Sequence, residues 1–267
     1  KKPQQTVDLI PQFVQNIFSK FVWPKSMFWT LEGGGNSQFW VRAVRSVMTI
    51  FGGKPVTFDL PTLGLTTSNQ TYGHRFLSPD AIKVSSFSDY RDKLEKAYVV
   101  LDHPTRQTQI REGLEALAHK KGMTILPDDS LLQEVAGLVE WPVPLLGQIE
   151  DQFMTLPAPV LSTSMRIHQK YFTILKDNKI APYFGVVANT KAEDGGAKLI
   201  AGYERVLRAR LSDAAFFYKQ DVKIPVEEFA NRLSSIVFQA KLGTLHQKTE
   251  RLTFLMSAQG AEEDGRR

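Results

Sequence analysis

The sequence predicts an α+β fold, in which helices mix with mainly antiparallel sheets, arranged as two subdomains. Three observations carry this expectation. Strand-like and helix-like stretches follow one another without the regular alternation that a doubly wound parallel sheet requires. Two β-rich runs, 171–175 and 183–188, flank a polar turn at 176–179, the signal of an antiparallel hairpin. A long stretch, 199–221, keeps apolar residues at helical spacing. The organisation expected is a first α+β subdomain at 1–125 and a second at 126–253 that bears the long helix, with a truncated, disordered tail at 254–267.

Taken in order, residues 7–18 place Leu9, Ile10, Phe13, Val14, Ile17 and Phe18 at helical spacing. Pro24 and the glycine-rich turn 33–36 punctuate the next stretch. Residues 39–51 are strongly apolar, with Arg42 and Arg45 three apart, and are expected as a helix ended by Gly52 and Gly53. The run 54–60 alternates and reads as a strand, 63–71 continues as extended chain, and 82–84 is a short strand. Ser88 is expected to cap a helix to residue 96, and 98–101 (YVVL) to form a buried strand. Pro104 opens a helix that Gly122 closes. Ser130 and Gln133 have capping-box spacing for a helix over 130–138. A strand at 142–149, a helix at 159–169 and the hairpin follow. The Asp194-Gly195-Gly196 break precedes the long helix, Pro225 starts another with Glu227 and Glu228 in its first turn, and 244–256 reads as a last helix.

The chain's 267 residues are enough to bury a sizeable core. Its 42% hydrophobic and 23% charged residues are ordinary for a folded domain. A formal charge of +5 and a pI near 9.3 permit a polyanionic partner without demanding one. Without cysteine there is no disulfide, thiol nucleophile or Cys-ligated zinc. No apolar run approaches the roughly 18 residues of a membrane span, and no charged-then-apolar leader opens the chain. The polar start without an initiating Met and the charged finish suggest a piece cut from a longer protein.

The usual catalytic patterns are missing. Gly53-Lys54-Pro55 lacks the upstream glycine and the hydroxyl of a phosphate loop, and Gln38 stands where a dinucleotide fingerprint needs glycine. The five histidines, 74, 103, 119, 168 and 246, are not spaced as helical metal ligands, so no metal is expected. There is no Gly-x-Ser-x-Gly elbow. No catalytic residue is assigned.

The long helix carries Arg205, Arg208 and Arg210 within six residues. At about 3.6 residues per turn, Leu207, Leu211, Ala214 and Tyr218 share a face, while Arg205 and Arg208 lie on the polar side. Those two arginines are either a solvated basic face or phosphate ligands, since guanidinium forks match phosphate oxygens. Arg210 falls in the apolar arc near Val206 and Phe217, and Asp213 is its expected ion-pair partner.

This helix, AGYERVLRARLSDAAFFY, closely resembles the corresponding AGNERVLRARLSDAxFFY of the β-chain of bacterial glycyl-tRNA synthetase, the two-chain, α2β2, class II form. Further segments agree in order: PKSMFW with the family's PKSMRW, FGGKPVTFDL and TYGHRF with its GG-x-VVPF and RGHRF region, and LVEWPVPLLG nearly letter for letter. TSMRIHQKYF resembles TSMKxHQKYF, and FQAKLGTLHQKTERL resembles FxxKLGTLxDKTERI. The similarity covers about 21–252. It departs where VRAVRS replaces VRPVHW, putting Ala43, Arg45 and Ser46 in place of Pro, His and Trp, and where Tyr203 replaces Asn.

The resemblance implies a division of labour. The α-chain would hold ATP and magnesium and join glycine to its tRNA in the cytoplasm, and this piece of the β-chain would bind tRNA and dock other domains without a cofactor of its own. The family's N-terminal segment, its histidine/aspartate-type helical domain and its anticodon-binding domain fall outside the similarity. The tRNA-contact candidates are Arg205, Arg208, Lys170, Arg42, Arg45, Arg75 and His168. Lys170 could instead be a solvated helix end, His168 a surface histidine and Arg75 a loop brace. Tyr171 and Phe172 are expected in the core, and Trp141 as a packing anchor. Two other roles stay open: a hydrolytic editing-like module, distantly similar to part of the phenylalanyl-tRNA synthetase β-chain, or an α-chain docking surface with no RNA contact.

Overall fold

The computed structural model describes residues 4–30 and 38–264, with side chains described to residue 258. The expected turn at 33–36 lies outside the described residues. Packing groups the chain into two compact units, one of residues 1–148 and 165–204, the other of 149–164 and 205–267. The architecture is α+β, as expected.

In the first unit, α1 (Thr6–Lys20) leads into the paired strands β1 (Met27–Trp29) and β2 (Gln38–Trp40). Three short antiparallel pairs follow. They are β3 (Ile50–Phe51) with β4 (Lys54–Pro55), β5 (Asp59–Leu60) with β6 (Leu65–Thr66), and β7 (Gln70–Tyr72) with β8 (Ala81–Lys83). Then come α2 (Phe87–Lys96), α3 (His103–His119), β9 (Thr124–Ile125), α4 (Asp129–Leu138) and β10 (Val143–Gln148). After an excursion into the other unit the chain returns as a widened, π-type turn (Ser164–Gln169), β11 (Phe172–Lys176) and β12 (Lys179–Ala188).

The largest sheet is antiparallel, in the order β10-β12-β11-β9. Asp177 and Asn178 both take positive φ between β11 and β12, the conformation of a two-residue hairpin turn. The β9 pairing, Ile125 opposite Ile174, carries the first unit past the boundary expected at residue 125, because this strand completes the sheet formed by later segments. On the sheet lies a core of Ile110 and Leu114 from α3, Leu131, Leu132, Val135 and Ala136 from α4, and Phe172.

Close approaches fix this packing. A Cβ at Gly147 would lie 2.3 Å from Cζ of Phe184, and one at Gly113 would lie 2.6 Å from Cγ of Pro144. The ring of Phe184 occupies the space that any side chain on β10 would need there. Tyr171 then stacks on Phe184, with ring centroids 4.6 Å apart and 17° between planes. Burial lifts the Tyr171 phenol to about 12.

The second unit holds a 3-10 turn (Asp151–Thr155), α5 (Ala158–Thr163) and the part of α6 (Ala197–Asp221) from residue 205 onward. It continues through α7 (Val226–Arg232), the pair β13 (Val237–Gln239) and β14 (Gly243–Thr244), and α8 (Leu245–Asp264). Residues 254–264, within the stretch expected as a tail, are included in α8. Among the described residues no helix is long and apolar enough to cross a membrane.

Four local expectations are corrected. Residues 39–51 are not a helix: Gln38, fully buried, donates to the carbonyls of Val44 and Leu63 and accepts from the Val44 amide, taking the backbone partners a helix would use. The β-branched Val41, Val44, Val47, Thr49 and Ile50 add to this preference for extended chain. Residues 98–101 form no strand, because Tyr98 takes φ +61° at the end of α2 and only the Val100 amide reaches across, to Glu140 O. The cap of α2 is Ser86, which accepts from the Asp89 amide, and that of α4 is Asp128, which accepts from the Leu131 amide. These replace Ser88 and the box of Ser130 and Gln133. In each case the capping side chain stands three residues before the amide it serves.

Gly147→Ala is expected to lower stability by about 1–3 kcal/mol, the usual cost of overpacking. Urea unfolding of the variant beside wild type, read by tryptophan fluorescence, checks this; an unchanged midpoint contradicts it.

Candidate nucleic-acid interface

The long helix α6 leaves all three of its arginines exposed, Arg210 included. Leu207 and Leu211 are buried, while Arg205, Arg208 and Arg210 are exposed. Arg205 and Arg208 are three apart and so share a face. Their circumstances differ. The Arg208 guanidinium pairs with Glu150, and this contact, after a hydrogen bond from Gln152, holds the Glu150 carboxyl below its ordinary range. Arg205 is joined to no acid among the described residues.

The ion pair expected between Arg210 and Asp213 is absent among the described residues, and both side chains are exposed. The apolar arc explains this. Val206 is exposed, and the arc opens further to solvent at Phe216 and Phe217, 58% and 62% exposed, so Arg210 is hydrated and needs no internal partner.

Lys170 and His168 sit at the end of the helical segment before β11. There α5 gives way to the π-type turn 164–169, and Lys170 closes it with φ +57°. Two acids associated with α4 hold this segment. Asp128 receives both Nε and Nη2 of Arg166, the Nη2 contact at 3.2 Å, and Glu134 receives Lys170 Nζ at 2.8 Å. The Arg166 fork, with the Leu131 amide, keeps the Asp128 carboxyl well below the usual carboxylate range. Lys170 is thus committed to a protein carboxylate. His168 stands exposed between the two ion pairs, beside exposed Ile167.

Arg42, Arg45 and Arg75 are exposed cations of the first unit. Arg42 and Arg45 lie on irregular chain rather than on one helical face. Arg45 covers the Tyr72 ring at 5.9 Å, and Arg75 covers Phe76 at 5.7 Å. The bracing anticipated for Arg75 falls to its neighbour, His74. This histidine is buried, contacts the Asn189 carbonyl through Nε2 at 2.8 Å, and accepts from the Phe76 and Leu77 amides at Nδ1. Two amide donors at Nδ1 leave the proton on Nε2, so the ring donates to Asn189 O. The Asn189 side chain in turn accepts from the Glu140 and Trp141 amides. Trp141 meets Tyr98 edge-on at 5.4 Å, consistent with a packing role. Sequence reasoning missed Gln38, His74, Asp128 and Asn189. The one available signal was that polar residues within largely apolar stretches act as braces when they are buried.

The candidate residues thus form an exposed set of guanidinium groups, and no group of three or more metal-ligating side chains converges among the described residues. Comparison with known proteins supplies the family. The family model "Glycyl-tRNA synthetase beta subunit" matches residues 1–263. The glycine–tRNA ligase beta subunit of Rhodospirillum centenum is 44% identical over 94% of this chain and 38% of its own length. Those of Paracoccus denitrificans and Rickettsia akari are each 41% identical, over 96% and 94% of this chain and 38% and 37% of their own. The chain belongs to the glycyl-tRNA synthetase beta subunit family, and it spans under two-fifths of the length of these relatives.

Asp128→Asn keeps a capping oxygen but removes the charge that holds Arg166. Because the folded carboxyl titrates below its unfolded range, its stabilisation is present above about pH 4 and is lost as pH falls through the folded value. The variant is expected to melt lower than wild type at pH 7, with the gap closing toward pH 3. Thermal unfolding across that range measures it; a gap independent of pH contradicts the assignment.

Proposed function

We propose that this chain is the tRNA-holding and structural body of the β subunit of a class II, α2β2 glycyl-tRNA synthetase working in cytoplasmic protein synthesis. In this reading the α subunit binds ATP and magnesium and joins glycine to the tRNA, while the present chain carries no catalytic group or cofactor. It contributes affinity and position.

The observation that carries the reading is Arg205, exposed on a rigid helix, free of any acid partner among the described residues, and one turn from Arg208. An arginine on a fixed helix offers a planar fork without first having to be ordered, which suits phosphate oxygens. Arg208 is held in reserve, since a phosphate there must displace Glu150.

A second reading has its own observation. The C-terminal half of α6 leaves Phe216 and Phe217 exposed, and Val222 just past its end is exposed too, an apolar surface suited to the α subunit. Both roles fit one helix, with arginines toward RNA in its middle and phenylalanines toward protein at its end.

The test is the salt dependence of tRNA(Gly) binding by the chain. Arg205→Ala is expected to weaken binding more than Arg208→Ala and to lower the salt slope by about one. Glu150→Gln is expected to strengthen binding by freeing Arg208. Filter binding across a salt series gives all three values. An unchanged slope in the Arg205 variant removes the phosphate role, and retention of the α subunit without tRNA supports the second reading alone.

A further inference from the structure

The strand pair β1 and β2 has two faces of opposite character. Residues alternate across a strand, so Gln38 and Trp40 point one way and Phe39 the other. The first face is engaged at Gln38 and Trp40, although Met27, opposite Trp40, is 59% exposed. Gln38 is sealed in and holds Val44 and Leu63. Trp40 packs on Phe18, Phe21 and Trp23 at 5.1–5.9 Å between ring centroids, and Trp29 Nε1 donates to Trp40 O at 3.1 Å. The other face carries Phe28 opposite Phe39, with ring centroids 4.8 Å apart, and both rings open to solvent at 75% and 56% exposure. An anchored strand pair that presents two aromatic rings outward is a rigid stacking platform.

The sequence on either side of it carries more cations than acids. Residues 21–79 hold Lys25, Arg42, Arg45, Lys54 and Arg75 against only Glu32 and Asp59. Lys25 precedes Phe28 by three residues and Arg42 follows Phe39 by three, against the single acid Glu32 at comparable spacing in sequence. Arg45 lies over the partly exposed Tyr72. A protein partner would have to place carboxylates opposite these cations as well as an apolar patch on the rings. A chain of unpaired nucleotides matches both, because each base has a π-face and each linkage carries a negative charge.

We propose that the outer face of β1 and β2 is a single-stranded RNA site, in which Phe28 and Phe39 stack on unpaired bases while Lys25 and Arg42 meet the flanking phosphates. The inference rests on the tRNA-holding reading above and adds to it the part of the RNA met here: unpaired nucleotides, not helix. Stacking selects single strands because bases inside a duplex already stack on one another.

The test uses the whole chain and an oligouridylate carrying one 2-aminopurine, offered single-stranded and as a blunt duplex. Wild type is expected to prefer the single strand and to quench the 2-aminopurine. Phe28→Leu with Phe39→Leu keeps apolar bulk but removes the rings, and should lose about tenfold or more in single-strand affinity together with the quench. Phe28→Tyr with Phe39→Tyr should restore both, which separates stacking from a folding defect. Equal affinity for single strand and duplex, or a leucine variant that binds and quenches like wild type, overturns the proposal. So does a leucine variant that loses only the α subunit. The phosphate role of Arg205 stands or falls separately, on the salt slope of tRNA(Gly) binding.

Discussion

The absence of a side chain at Gly147 governs the first unit. It lets Phe184 lie flat across β10, which lets Tyr171 stack on Phe184, and Tyr203 of α6 meets Tyr171 edge-on with centroids 6.0 Å apart. The first turns of α6 are thereby coupled to the sheet through three aromatic rings. Glu204, next along the helix, accepts a hydrogen bond from the Gln148 amide just past Gly147.

Much of this was legible because periodic patterns survive tertiary context. The helices at 6–20, 103–119 and 197–221 and the β11–β12 hairpin follow from spacing, from Pro104 and Gly122, and from the polar turn. The errors share a cause. Around Gln38 and Tyr98 one residue redirects backbone hydrogen bonds, and nothing in the local spacing announces it. Both caps lie two residues before the expected ones, at Ser86 and Asp128, since neighbouring serines and aspartates all satisfy the capping pattern.

The candidate interface divides in the same way. That arginines 205 and 208 would be exposed was readable from the helical period. That Glu150 occupies one of them was not, because this acid lies 58 residues away in sequence. Lys170 looked available and is matched by Glu134, whereas Phe28 and Phe39, to which the sequence reading gave no site role, are bare. Net charge over a stretch of chain predicts where polyanions are welcome, but only the pairing of individual groups tells which cations remain to meet them.

The π-type turn at 164–169 has a consequence of its own. A widened coil has poorer backbone geometry than an α-helix, and here it is braced from outside by two ion pairs with substantial solvent exposure. Such pairs are screened as electrolyte is added, while the neighbouring apolar core is not. This short coil is therefore the place where the first unit begins to breathe in concentrated salt, its amides exchanging with solvent before those of the flanking strand β11.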